Sequence, residues 1–243
     1  MAGRLYLVPN LLGIAPPGNV LPAKTIAIAR ELDRFVVENA KPARAFLKSL
    51  APERPLREIE IAELGADPAS DRCAELLAPA RAGGSIGLLS DAGCPGVADP
   101  GAVLVAAAHD TGIAVVPLVG PSAVLLALMA SGMNGQGFAF HGYLPVPAPA
   151  RAEALRALEA ESRRSGYAQL FIETPYRNAA LLATLCETCR AETWLCVAAD
   201  LTLDSETVES RTIRAWRGRD FGRYAKRPAM FVLQGSRPPH RPA

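Results

Sequence analysis

The stretch Ser85-Ile-Gly-Leu-Leu-Ser-Asp-Ala-Gly-Cys-Pro-Gly-Val-Ala-Asp-Pro-Gly101 decides the fold. It starts as an apolar run and breaks after Leu89 into a loop holding Gly93, Pro95, Gly96, Pro100 and Gly101, with Asp91 and Asp99 as its acids. A buried strand that ends in such a loop leaves bare backbone and a few carboxylates at the carboxyl edge of a sheet, where open α/β sheets bind ligands. Downstream, Pro117-Leu-Val-Gly-Pro-Ser-Ala123 repeats the pattern. Ser122 there precedes an apolar helix, whose first N–H groups are free for acceptor atoms.

Working outward, strand and helix signals alternate. Arg4 to Val8 is a short β-prone run closed by Pro9, and Leu21 to Leu32 has helical spacing. Arg34 to Val37 is a strand, Pro42 to Leu50 a helix, and Ala69 to Ala82 another helix before the strand Ile86 to Leu89. Gly101 to Asp110 is a small Ala-rich helix and Ile113 to Leu118 a buried strand. Strands that are apolar throughout, separated by helices, predict a parallel sheet covered on both faces.

The second half is mixed. Helices are predicted at Ser122 to Ser131, Ala150 to Arg164 and Asn178 to Cys189, and strands at Phe138 to Leu144, Leu170 to Glu173 and Leu195 to Ala198. Thr207 to Trp216 and Pro228 to Leu233 are strand-like, and the short basic loop between them predicts that they pair antiparallel. The fold class is α/β in two domains: residues 1–118 with a mostly parallel sheet and 119–236 with a mixed one. Residues 237–243 are expected to form a flexible tail.

A chain of 243 residues, half of them hydrophobic and 21% charged, is expected to fold. The formal charge of +2 gives no case for an extended nucleic-acid surface, though it leaves room for a local patch. The first residues lack a signal-peptide core and no apolar run reaches the roughly 20 residues of a membrane span. Five dispersed cysteines fit a reducing, cytoplasmic setting with no membrane. Cys186-x-x-Cys189 with Cys196 lacks a second ligand pair, so no metal site is expected. Gly-x-Ser-x-Gly, the P-loop and the dinucleotide fingerprint are all absent.

Four blocks carry a family resemblance: Leu5-Tyr-Leu-Val-Pro-Asn-Leu-Leu-Gly13, Leu89 to Gly101, Val116-Pro-Leu-Val-Gly-Pro-Ser-Ala123 and Phe171-Ile-Glu-Thr-Pro-Tyr-Arg177. In order and spacing the chain resembles the tetrapyrrole methylase superfamily, and within it the branch that methylates a cytidine ribose 2′-oxygen of 16S rRNA. The resemblance implies a methyltransferase, a homodimer, and S-adenosylmethionine in a cleft between the two domains. It implies cofactor contacts from Leu12, Gly93, Cys94, Val97, Ser122 and Ala123, and from the strand-end residues Glu173, Leu201 and Met230. RNA, as 16S rRNA or the 30S subunit, is the implied partner.

The chain departs from that branch on the substrate side. Its acidic Glu-Asp-Thr-Arg block reads Glu38-Asn-Ala-Lys41 here, and a His-Asp-His-Asn-Glu segment reads Glu58-Ile-Glu-Ile-Ala-Glu63. The first loop reads Pro-Asn-Leu-Leu-Gly where the branch has Pro-Thr-Pro-Ile-Gly-Asn. Glu38 and Asp91 are the candidate catalytic carboxylates, because a ribose hydroxyl needs a base within hydrogen-bond reach. Lys41 and Arg44 are the candidate phosphate contacts. A tetrapyrrole or other small-molecule acceptor, and a catalytically silent cofactor-binding paralogue, stay open as alternatives.

Overall fold

The computed structural model describes residues 3–236, and the tail expected at 237–243 lies outside them. The chain divides into two compact units, Met1–Ser122 and Ala123–Ala243. Residues 119–122 belong with the first unit for visible reasons. Thr25 donates its hydroxyl to the Val119 carbonyl at 2.7 Å, and the Cys94 thiol reaches the Pro121 carbonyl at 3.4 Å. Gly120 lies so close to Pro9 that a Cβ there would sit 2.3 Å from the Pro9 ring.

In the first unit, strands β1 (Arg4–Val8), β2 (Arg34–Val37), β3 (Glu60–Glu63), β4 (Ile86–Leu89) and β5 (Ala114–Pro117) form one sheet in the order β3-β2-β4-β1-β5, all parallel. Helices α1 (Ala23–Glu31), α2 (Ala40–Ser49), α3 (Ser70–Arg81) and α4 (Gly101–Asp110) connect them. Alternate strand residues feed two separate cores, as the two-residue period of a strand requires. Phe35, Val37, Val8 and Leu89 pack with Ala29, Phe46 and Leu47 of α1 and α2. Val36, Leu5, Ile86 and Leu88 pack with Leu77, Ala80 and Leu104 of α3 and α4.

β3 was not foreseen as a strand. It forms because Glu58-Ile-Glu-Ile alternates, which suits an edge strand with one wet face. Arg34 of β2 pairs with Glu60 across it at 2.9 Å.

The second unit holds β6 (Phe138–Tyr143), β7 (Ala168–Ile172), β8 (Trp194–Ala199), β9 (Thr207–Thr212) and β10 (Ala229–Gln234) in the order β6-β7-β10-β8-β9. β6 and β7 are parallel, and β10 runs antiparallel to both β7 and β8. Helices α5 (Ala123–Ser131), α6 (Ala148–Ser165), α7 (Asn178–Thr188) and the short α8 (Ile213–Trp216) complete it.

Two expectations are corrected here. The segment Thr207 to Trp216 is not one strand: Thr212 caps a helical turn, its hydroxyl accepting the Ala215 amide at 3.4 Å. Nor do the last two strands pair with each other, since β9 pairs with β8 and β10 lies between β7 and β8. Trp216 explains this, because its buried indole donates to the Leu195 carbonyl of β8 at 2.9 Å and holds the connection over that strand. The chain therefore passes β8 before it re-enters the sheet, and every residue of β10 is buried.

Phe35 is a 1% exposed anchor of the α1–α2 face. Phe35→Ala is expected to destabilise the first unit by about 3–5 kcal/mol, read as a lower denaturant midpoint in urea. An unchanged midpoint would contradict this packing.

Candidate functional site

In a parallel sheet all strand ends of one kind share an edge. Register places Val8 beside Leu89, and Leu89 beside Val37, so the segments that follow them emerge together. The strand order also sends the chain from β1 toward β2 and from β4 toward β5, in opposite directions across the sheet. Such a switch point is where an open α/β sheet leaves a crevice.

Asn10 ties the two loops at this point, and the sequence reading had not singled it out. Its side-chain amide donates to the carbonyls of Ser90 (2.9 Å) and Asp91 (3.1 Å), its backbone N–H donates to Gly93 (2.8 Å), and its own Oδ1 accepts the Leu11 amide at 2.7 Å. Asn10 is 5% exposed, so these bonds satisfy a buried amide and two bare strand-end carbonyls together. The signal available in sequence was an amide side chain directly after a strand and its closing proline.

The acids of the loop divide their work. Asp99 accepts the backbone N–H groups of Gly96 (2.9 Å) and Gly101 (2.6 Å), which braces the loop from within. The Asp91 side chain is exposed, while its backbone N–H donates to Glu38 Oε1 at 2.9 Å. Burial raises the Glu38 carboxyl above its ordinary range, the Asp91 amide bond opposes this, and the charges of Asp99 and Asp91 add to the rise. Burial also raises Asp91, with Glu63 as the second cause.

Glu63 has another task, accepting the Ala40 amide at 2.8 Å while Asn39 Oδ1 accepts that of Lys41 at 3.0 Å. Two side chains therefore cap the N-terminus of α2. Lys41 and Arg44 stand exposed on that helix.

Among the residues expected to hold a cofactor, Leu12, Gly93 and Cys94 come together. Gly93 has φ +68°, and a Cβ there would lie 3.2 Å from Leu12 and 3.6 Å from the Pro121 carbonyl, so glycine suits both the backbone and the space. Val97 is exposed further along the same loop, Ser122 follows Pro121, and Ala123 opens α5.

In the second unit Glu173, Leu201 and Met230 meet at one end of the sheet, after β7, after β8 and at the start of β10. All three are buried. Glu173 Oε1 accepts Thr174 N–H (2.7 Å) and Arg177 (2.6 Å), while its Oε2 is buried with no hydrogen-bond partner. Leu201 lies between Asp200 (φ 53°) and Thr202 (φ 73°). Left-handed backbone at two side-chain-bearing residues costs of order 1–3 kcal/mol each. Asp200 is fixed by Arg227 at 2.7 Å and Ser205 at 2.9 Å.

Cys186 and Cys189 are core members, and burial pushes the Cys189 and Cys196 thiols up to about 12. No group of three or more His, Cys, Asp or Glu that could hold a metal ion occurs among the described residues.

The family model for Tetrapyrrole (Corrin/Porphyrin) Methylases matches residues 11–215. A ribosomal RNA small subunit methyltransferase I from Mesorhizobium japonicum is 36% identical over 211 residues, covering 87% of this chain and 68% of the relative. The enzyme of the same name from Pasteurella multocida is 30% identical over 241 residues, covering 97% and 80%. Among solved structures, uroporphyrin-III C-methyltransferase of Thermus thermophilus with S-adenyl homocysteine superposes with a TM-score of 0.55 at 19% identity, covering 96% of this chain and 97% of that one.

Asn10→Ala is expected to lower stability by about 1–3 kcal/mol, because two strand-end carbonyls lose their donor. Asn10→Asp lowers it at least as far, since a carboxylate would then face both carbonyl oxygens. Thermal unfolding at neutral pH checks both, and wild-type melting in either variant would contradict the clamp.

Proposed function

Because the chain belongs to the tetrapyrrole methylase family, we propose that it uses S-adenosylmethionine to methylate small-subunit ribosomal RNA at a cytidine ribose 2′-oxygen. It is a methyltransferase by membership; the acceptor and the residue roles are our reading. The observation that carries the reading is Glu38, a half-buried carboxylate at the carboxyl edge of the first sheet, fixed by the Asp91 amide. The names of the relatives support RNA as acceptor, along 87% and 97% of this chain.

S-adenosylmethionine, when bound, supplies an electrophilic methyl group. The residues fit such a ligand. Gly93 offers backbone without a side chain between Leu12 and Pro121. Leu12, Gly93, Cys94, Val97 and Ser122 of the first unit would hold the cofactor. Glu38 takes the proton of the acceptor hydroxyl, with Asp91 holding it in place through its backbone. Burial favours this, since a carboxylate raised above its usual range is a stronger base once ionised. Lys41 and Arg44 meet RNA phosphates. A cytoplasmic homodimer is part of the same reading, and five free cysteines fit a reducing compartment. No helix among the described residues is long and apolar enough to cross a membrane.

Tritiated methyl transfer to naked 16S rRNA, to 30S subunits and to a small-molecule extract tests the acceptor. Label in RNA is expected, and label confined to small molecules would contradict it. Glu38→Gln keeps an acceptor oxygen for the Asp91 amide, so the fold and S-adenosylhomocysteine affinity should persist while turnover falls by about 10²–10⁴-fold.

The sign of the pH effect follows. A base must be ionised, and the Glu38 pKa is raised, so wild-type kcat/KM falls on the acid side at a pH above the ordinary glutamate value of about 4.3. Above that folded-state pKa, ionised Glu38 opposes folding, so Glu38→Gln should melt no lower than wild type at neutral pH. Unchanged turnover in Glu38→Gln would remove this residue from the mechanism.

A further inference from the structure

A groove of about 400 Å³ lies beside the Asn10–Asp91 edge, within the first unit. The loop after β1 lines it with Leu12 and Ile14, α2 lines it with Ala45, Phe46 and Ser49, and Asp91 borders it as well. Its lining is mainly apolar, yet Ile14 at its side is fully exposed. Along α2, Lys41, Arg44 and Lys48 recur at i, i+3 and i+7 and so form one stripe, next to the groove-lining positions 45 and 49. All three are exposed. The ion pairs of this unit are Arg34–Glu60, Arg54–Asp33, Arg57–Glu58 and Arg72–Glu75, and among the described residues none of the three cations joins one.

An apolar slot flanked by uncommitted cations matches a flat base joined to a charged backbone. We infer that the groove takes the base and sugar of one nucleotide, splayed out of the RNA, while Lys41, Arg44 and Lys48 hold the neighbouring phosphates. This rests on RNA being the methyl acceptor. Sequence-specific RNA recognition targets unstacked bases that can be splayed out and stacked on protein side chains, and an extruded base is held in a snug pocket. The groove suits one ring system with its sugar rather than a four-ring macrocycle. Ile14 covers the base on entry, and Asp91 connects the groove to Glu38 through the backbone bond between them.

Two sets of variants test this in the full chain. Ala45 is exposed on α2, so Ala45→Phe fills the groove without entering the core. It is expected to cut methyl transfer to RNA by about a hundredfold with S-adenosylhomocysteine affinity unchanged. The triple variant Lys41→Ala, Arg44→Ala, Lys48→Ala does not depend on how Ala45→Phe folds. It is expected to reduce the slope of log affinity for 16S rRNA against log salt by about 2, as loss of three phosphate contacts requires. Wild-type transfer by Ala45→Phe, or an unchanged salt slope in the triple variant, would overturn the groove assignment while leaving RNA methylation standing. If the wild-type protein labels no RNA, the acceptor reading fails and this inference falls with it.

Discussion

The parallel first sheet imposes one constraint on everything around it: its strands end at a common edge, with backbone carbonyls that have no further ladder to join. Asn10 resolves this for β4, the central strand. One buried amide bonds the carbonyls that follow β4, and the backbone of the same residue bonds Gly93. The Gly- and Pro-rich loop can then stay open without collapsing onto the sheet. Asp99 braces it from inside and the segment through Pro121 closes against it. Asp91 is thereby held at the edge through its backbone, and its N–H fixes the Glu38 carboxylate.

Much of this was legible in the amino-acid sequence, and what was missed has physical causes. The continuous apolar runs of β1, β2 and β4 carry no alternation, because both faces are covered, and this marks a parallel sheet. The alternation at Glu58 to Glu63 is a strand signal of equal quality, in a segment whose polar positions all carry glutamate. A short connection does not make β9 and β10 neighbours, because β8 lies between them. The stronger signal was composition: Ala-Met-Phe-Val-Leu is apolar enough for a central strand, whereas Thr-Val-Glu-Ser-Arg-Thr suits an edge. Trp216 then decides the path, through a hydrogen bond that spacing alone does not reveal.

The candidate site was legible where chemistry resides in the backbone and obscure where it resides in side chains. Glycines and prolines marked the loops, and the structure brings Leu12, Gly93 and Cys94 together there. Asn10 and Glu63 act through geometry that only the fold supplies, one as a clamp across two loops and the other as a helix cap from a neighbouring strand. At the second sheet, the left-handed residues on either side of Leu201 and the unpartnered oxygen of Glu173 mark an edge where the chain keeps local strain and an unmet hydrogen bond. Retaining such costs is a common property of binding sites.

On the proposed function, the carboxyl edge of the first sheet, around Asn10 and the loop 90–101, holds the methyl donor. Amide hydrogen exchange with and without S-adenosylhomocysteine reads this directly. Slower exchange in segments 10–13 and 91–97 on addition of the ligand is the predicted result. Binding of the ligand with exchange in both segments unchanged would contradict it.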